Sequence, residues 1–289
     1  MASVRIFCFI AKKCILYQYS VSFLLTFSYY ILKKQGGIKM SVNGIDVSVW
    51  QGTIDWKKVK TSGVSFAMAR ASYGKSLKDK NFDTNMTNAQ AQGMDMGVYH
   101  YCLAKTEKEA IQEADFFISI IKKYKFPYPA AVDIEDNSLT SLTKDKITNI
   151  ALSFMGRLKE FGFYPMLYAN KYWLTNYIDT NRIKDYSIWL AEYRGEQYTY
   201  KGRVDMWQNS STGTVNGISG FVDTDIAYVD FPKIIKAGGY NGMEKEALTV
   251  EESKKIIQEK CGFTDDTMLY LSFYKYSDSL ITRLAEQML

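Results

Sequence analysis

Histidine is almost missing from this chain of 289 residues: there is one, His100. That single residue removes most histidine-based metal sites, leaves room for one histidine-dependent triad and argues against a zinc enzyme. No metal and no cofactor are expected. Cysteine is nearly as scarce. Cys8, Cys14, Cys102 and Cys261 form no C-x-x-C pair and no even, clustered framework, which fits folding in a reducing, cytosolic setting. Proline is held to 4 residues, and with 47% hydrophobic and 23% charged residues the composition is globular, long enough for one large α/β domain with something small attached. Acids are absent from residues 1–40, which hold six Lys or Arg, so the net +5 of the whole chain leaves the remainder at −1. A nearly neutral folded part argues against nucleic-acid binding as the main task.

The apolar run 15–32, ILYQYSVSFLLTFSYYIL, lies between Lys12–Lys13 and Lys33–Lys34. It resembles a signal anchor at the short limit for a span of roughly 18–20 residues. No small-residue cleavage site follows it. The stretch QGGIKM back-translates to a purine-rich ribosome-binding site just ahead of Met40. We therefore read 1–39 as a translated leader outside the fold, and expect a chain starting at Met40 to fold and act without a membrane.

From Val42 strand and helix patterns alternate. NGIDVSVW, VSFAMARAS, DMGVYHYC, AAVDIE and FYPMLYAN read as strands. Between them, IDWKKVKTSG stops at Gly63, NFDTNMTNAQAQG ends at Gly93, TEKEAIQEADFFISIIKKY has Thr106 as N-cap, and KITNIALSFMGRLKEFG completes the helices. After about residue 180 helices thin out, and YSIWLAEY, RVDMWQN and GFVDTDIAYV read as strands joined by loops. The alternation predicts an α/β fold over 40–236, an irregular TIM-like barrel of five β/α units plus three strands. Parallel barrels carry their chemistry at the C-terminal ends of the strands. Those ends hold Asp46, Tyr99, His100, Tyr101, Asp133, Glu135, Tyr168, Trp189, Trp207 and Asp223. Gly238, Gly239 and Gly242 mark a Gly-rich linker at 237–243. Beyond it, 244–289 reads as a small all-α module for cell-wall binding or oligomerisation, of net charge −3, with Thr249 and Glu252 at capping-box spacing and Tyr270, Tyr274 and Tyr276 in its core, any exposed one of them a glycan contact. A piece this small is expected to lean on its neighbour or on a copy of itself.

The stretch AAVDIEDN, 130–137, sets two acids one residue apart at a strand end. Strand side chains alternate, so Asp133 and Glu135 share a face. Two carboxylates in one space raise each other's pKa, and a partly enclosed pocket raises it further. Glycoside hydrolysis needs this pairing: an acid for the leaving oxygen and a carboxylate for the positive charge at the anomeric carbon. Aromatics around the mouth suit sugar rings.

Residues 44–232 resemble glycoside hydrolase family 25, the muramidases typified by fungal, bacterial and phage lysozymes. The resemblance rests on GIDVSVWQG, IDW, GVYHY, VDIE, YAN, IWLAEY, MWQ and GFVDTD, matched in order and spacing. It implies the barrel described above, with Glu135 as general acid and Asp133 as the carboxylate that stabilises the oxocarbenium or orients the substrate's acetamido group. Asp46 and Asp223 would be supporting acids. Tyr99, His100, Tyr101, Tyr168, Trp189, Trp207, Arg70 and Tyr73 are the candidate substrate-binding residues; Arg70 and Tyr73 stand where family signatures often have Lys and Glu. His100, between two tyrosines, serves equally as a hydrogen-bonded core residue or a sugar ligand. Trp189 and Trp207 serve equally as core packing or as sugar platforms.

The expected activity is hydrolysis of the β-1,4 bond between N-acetylmuramic acid and N-acetylglucosamine in peptidoglycan, in an endolysin-type lysozyme. A bacterial autolysin or germination muramidase is the alternative, and a non-catalytic wall-binding protein is the non-enzyme one. The expected partner is peptidoglycan of Gram-positive walls, with no nucleic acid and no membrane required. An endolysin would stay in the bacterial cytoplasm until released to the wall, whereas an autolysin would be extracellular. Self-association through the C-terminal module is a further expectation. It includes an internally initiated fragment from Met243, because AGGYNGM again sets Gly-Gly shortly before a methionine.

Overall fold

The structure is a computed structural model describing residues 41–193, 195–245 and 247–288. The proposed leader at 1–39 lies outside the described residues. The chain divides into two compact units, Met40–Glu246 and a second whose described part is 247–288.

The first unit is a closed barrel. Its strands are β1 (Val42–Val47), β2 (Phe66–Tyr73), β4 (Asp95–Tyr101), β5 (Ala130–Asp133), β6 (Pro165–Asn170), β7 (Ser187–Ala191), β8 (Met206–Gly213) and β9 (Val222–Ala227); a short β3 (Leu77–Lys78) folds back on β2. Neighbours run parallel from β1 through β2, β4, β5, β6 and β7 to β8. Strand β9 closes the ring antiparallel to both β8 and β1. The five β/α units plus three strands expected from the sequence are present. The connecting helices are α1 (Trp56–Thr61), α2 (Phe82–Ala91), α3 (Glu107–Ile121), α4 (Lys144–Glu160) and α5 (Lys171–Asn176), and α6 (Phe231–Gly238) comes after the last strand. Helix α3 shows why they form where they do. Thr106 accepts a hydrogen bond from Glu109 N, acids occupy the first turn, and Ala110, Ala114, Phe117, Ile118 and Ile121 bury one face.

Alternation along the strands sorts side chains into two layers. Ala67, Ala69, Val98, Val132, Leu167, Leu190 and Trp207 point outward into a core shared with helix residues such as Phe117 and Phe154. Phe66, Met68, Ala131, Met166, Tyr168, Trp189 and Met206 point inward and form a separate cluster inside the ring. Gly44 and Gly97 make room for that filling: a Cβ on Gly44 would stand 2.3 Å from the Phe66 ring, and one on Gly97 2.3 Å from Met68 Sδ. The floor is closed by α6, whose Phe231 and Ile235 join the interior cluster, with the Phe66 and Tyr128 rings stacked at 4.3 Å beneath it. Burial of a side chain such as Phe231 contributes about 1.5–3 kcal/mol.

The stretch 237–243, expected to be a linker, is not free chain. Ala237 and Gly238 end helix α6, and Asn241 is fully buried under the barrel. Asn241 Oδ1 accepts from Tyr164 N at 2.8 Å, its Nδ2 donates to Tyr128 O at 2.7 Å, and its own N–H donates to Gly162 O at 3.0 Å.

In the second unit, α7 (Val250–Cys261) and α9 (Ser277–Met288) pack together, with α8 (Asp265–Ser272) between them in sequence. The Thr249–Glu252 capping box forms as its spacing predicts. Ile256, Ile257, Met268, Ile281 and Ala285 are buried. The expectation that the tyrosines make this core fails: Tyr270, Tyr274 and Tyr276 are 77%, 57% and 60% exposed. In α8 it is Met268 that turns inward.

Candidate active site

The parallel strands all end at one mouth, and β9, running the other way, begins there. That reversal pairs Asp46 with Asp223 across neighbouring strands. Together with Asp133 they line a cavity of about 340 Å³, whose walls are Tyr99, Tyr101, Tyr168, Trp189, Tyr193 and Gln208. Its rim carries Ser48, Trp50, Gln51 and Arg70.

Each acid has a distinct setting. Asp133, 7% exposed, keeps Oδ1 buried without a partner. Burial, then the charges of Glu135 and Asp46, push its carboxyl well above the ordinary range, against the pull of Arg70. Glu135 lies just past the end of β5. Its Oε2 accepts both from Asn170 N at 2.9 Å and from Asn170 Nδ2 at 2.8 Å, which leaves Oε1 as the atom to carry a proton. Burial raises the Glu135 pKa, and the Asn170 bonds offset only part of that rise. Asp46 accepts from Gln208 Nε2 at 2.6 Å; burial and the Asp223 charge raise its pKa, against the pull of that bond. Asp223 is raised by burial to about 6. Gln208 cannot turn over, because its Oε1 accepts from Tyr168 at 2.8 Å and Tyr193 at 2.6 Å while its amide nitrogen serves Asp46.

Arg70 is the one cation among the described lining residues, and it is already engaged. Its Nε and Nη2 both lie 3.0 Å from Asp79 Oδ2, which also accepts from Val49 N at 3.0 Å. Asp79 thereby ties the Arg70 wall to the 3₁₀ turn Val49–Gln51. A Ser48–Gln51 capping box stiffens the same turn, on which Trp50 stands 81% exposed over the cavity.

Of the residues singled out in the sequence, Asp46, Asp133, Asp223, Arg70, Tyr99, Tyr101, Tyr168 and Trp189 line the cavity, and Glu135 adjoins it through Asp133 and Tyr168. Three do not line it. His100 is fully buried on the outer face of β4, bonded to Ser72 Oγ at 2.8 Å and Glu113 Oε2 at 2.9 Å, with its ring 5.1 Å from that of Phe154. Burial lowers its pKa despite the Glu113 bond, as befits a neutral core histidine. Trp207 also faces outward, its Nε1 donating to Glu192 O at 2.9 Å. Tyr73 lies after a bulge between Arg70 and Ser72 and pairs with Leu77 at the β2–β3 hairpin, its ring 5.5 Å from the Arg70 guanidinium.

Sequence reasoning passes over Gln208, Tyr193, Trp50, Asn170 and Asp225. Asp225 was within reach. It stands two residues from Asp223 on one strand face, is 1% exposed, and accepts from Trp189 Nε1 at 2.8 Å.

Comparisons with known proteins place the chain in a family. The sequence model of Glycosyl hydrolases family 25 matches residues 45–218. The autolytic lysozyme of Clostridium acetobutylicum is 29% identical over 201 residues, covering 68% of this chain and 58% of that enzyme. Lysozyme M1 of Streptomyces globisporus is 32% identical over 195 residues, 63% of this chain and 66% of its own. Both matches thus span less than two thirds of the relative. Among solved structures, the CTP1L endolysin, whose activity is described as regulated by a secondary translation product, superposes with a TM-score of 0.61 at 29% identity, over 68% of this chain and 70% of its own.

Proposed function

The chain belongs to glycosyl hydrolase family 25, and we propose that it hydrolyses the β-1,4 bond between N-acetylmuramic acid and N-acetylglucosamine in peptidoglycan. Glu135 gives the proton on Oε1 to the leaving oxygen as the bond to the anomeric carbon breaks. The buried, unpartnered Oδ1 of Asp133 lacks a donor, and the N–H of the substrate's acetamido group is one. We assign Asp133 to holding that group so that its carbonyl oxygen meets the developing charge. Asp46 and Asp223 surround the same sugar. The observation that carries the reading is the unequal pair: Glu135, one oxygen fixed by Asn170, beside Asp133, buried and short of a donor.

Glu135→Gln keeps the shape and loses the proton. We expect release of reducing ends from purified Gram-positive walls to fall on the order of 10²–10⁴-fold, with circular dichroism unchanged. Near-normal lysis by this variant would end the assignment, and an inactive parent protein that still binds walls would favour a non-catalytic one. As a finer proposal, the enzyme acts as an endolysin. The likeness to the CTP1L endolysin supports this role, while the autolytic lysozyme of Clostridium supports an autolysin instead. Whether lysis of producing cells waits for membrane holes separates the two.

A further inference from the structure

On the outer wall of the barrel, away from the cavity, Ser72, His100 and Glu113 are sealed into the core. Glu113 reaches in from α3, and its Oε2 accepts from His100 Nε2 at 2.9 Å and from Leu103 N at 3.0 Å. With Nε2 carrying the proton, Nδ1 is the acceptor, and Ser72 Oγ donates to it at 2.8 Å. Serine, histidine and acid in this order resemble a nucleophilic triad. They have no such use here, because Ser72 is fully buried and the cavity lies on the other side of the sheet. A buried polar set rigidifies its surroundings when every member is bonded, and what this one fixes is the backbone of β2.

Ser72 stands at the irregular place in that strand. Arg70 pairs with Tyr99 and Ser72 with His100, so Ala71 is an extra residue without a paired residue on β4. The Ser72–His100 bond joins the two strands at the first pair beyond the bulge. The extra residue is put to use. Ala71 O accepts from Asp79 N at 2.9 Å, and Asp79 Oδ2 holds both Arg70, at 3.0 Å from Nε and Nη2, and Val49 N at 3.0 Å. Arg70 lines the cavity, and Val49 opens the turn that carries Trp50. We infer that His100 is a positioning residue of the active site: through Ser72 it fixes the β2 bulge, and the bulge aims Asp79 at Arg70 and at the Trp50 turn.

The competing register is a plain one. Without the bulge Ala71 would pair with His100, Ser72 would turn toward the cavity, and the Ala71 carbonyl would leave Asp79. Alanine and serine differ by one oxygen, so packing alone discriminates poorly between the two registers. The hydroxyl bonded to His100 supplies the difference. Arg70 and Trp50 stand at the rim, where they meet bound glycan before and during bond cleavage alike. Their displacement therefore weakens binding more than turnover. That kinetic consequence rests on the muramidase reading above, whereas the structural one rests on the bonds alone.

Four variants of the full chain test the inference, Ser72→Ala, His100→Asn, His100→Gln and Phe126→Leu. Each is read by KM and kcat on soluble wall glycan and by amide hydrogen exchange at Asp79 and Val49. Asn keeps an acceptor at the δ position for Ser72, whereas Gln has its polar atoms at the ε position, beside Glu113. Phe126→Leu trims the core at the barrel floor, where Phe126 N meets Asn241 O, and costs stability alone. Ser72→Ala and His100→Gln should raise KM about tenfold with kcat within about twofold, and speed exchange at both amides about tenfold. His100→Asn should rescue both readouts relative to His100→Gln, and Phe126→Leu should move neither. A KM or an exchange rate like the parent's in Ser72→Ala, equal defects in Asn and Gln, or a matching KM rise in Phe126→Leu would overturn the inference. Absence of glycan hydrolysis from the parent itself would remove the muramidase reading, and the exchange rates would still decide this one.

Discussion

Five carboxyl groups, Asp46, Asp133, Glu135, Asp223 and Asp225, crowd one mouth where Arg70, the described cation, already belongs to Asp79. They cannot all be charged, and Asp225 is the best place for a proton. It is the least exposed, one oxygen is taken by Trp189 Nε1, and the other is buried without a hydrogen-bond partner, with the charge of Asp46 close by. A neutral Asp225 would donate to Asp46, and an Asn there could make the same two bonds. Asp225→Asn should therefore keep wall lysis within a few-fold of the parent and leave its pH profile in place. Asp225→Ala strands the buried Trp189 N–H, at a cost of about 1–3 kcal/mol in urea unfolding. If Asn proves as damaging as Ala, the residue works as an anion. The fate of the aromatics shows what was legible at this scale. The period of two that joins Asp133 to Glu135 also sends His100 outward, because Tyr99 and Tyr101 both face in. It sends Trp207 outward for the same reason, between Met206 and Gln208. Tyr73 was not legible this way: the bulge after Arg70 breaks the count.

At the scale of elements, every barrel strand and the helices α1 to α4 could be read from period, caps and stop signals. Helices α5 and α6 escape that reading; like the 6-residue α1, which only its stop at Gly63 reveals, they are too short, at 6 and 8 residues, for a period to show. Their caps are nevertheless written in the sequence: Asn170 for α5, Asp230 with Pro232 and a closing Gly239 for α6. The residues just after α6 resemble a linker because glycine flanks them. The contacts of Asn241 come from residues some 77 and 113 positions away, which no local pattern reports. Asn241 also sits at φ 55°, a left-handed conformation that Asn tolerates and Ala resists. Asn241→Ala should cost about 3 kcal/mol, from two buried backbone groups left without partners and from backbone strain. Asn241→Gly should recover about 1 kcal/mol of that by relieving the strain. All the tryptophans of the chain (residues 50, 56, 173, 189 and 207) lie in the barrel unit, so their fluorescence in urea reports this unit alone. A change under about 0.5 kcal/mol in Asn241→Ala would mean the barrel floor does not depend on this staple.

For the whole barrel, the acids at the mouth set how stability varies with pH. Asp83 and Glu192 are held at about 2, burial being outweighed by hydrogen bonds from Lys78, Tyr124 and Lys123 to the first and from Thr199, Lys171 and Tyr200 to the second. Their stabilisation is present above the unfolded values of about 4 and is lost as pH falls toward about 2. The mouth acids act in the opposite sense. Asp223, at about 6, and Asp46, Asp133, Glu135 and Asp225, also raised, bind protons more tightly folded than unfolded. Their contribution is complete below about pH 4 and is lost as pH rises through the folded pKa values. His100, buried neutral, favours the folded state above its unfolded pKa of about 6.5, but it is one group against five. Stability should peak near about pH 4 and decline toward neutrality, where the protons at the mouth are being given up. Urea midpoints by tryptophan fluorescence between about pH 2.5 and 8 would show the peak, and Asp223→Asn should flatten the decline between about pH 4 and 6. Midpoints that keep rising through about pH 7 would mean the mouth acids ionise freely. In that case Glu135 would hold no proton at neutral pH to give to a leaving sugar.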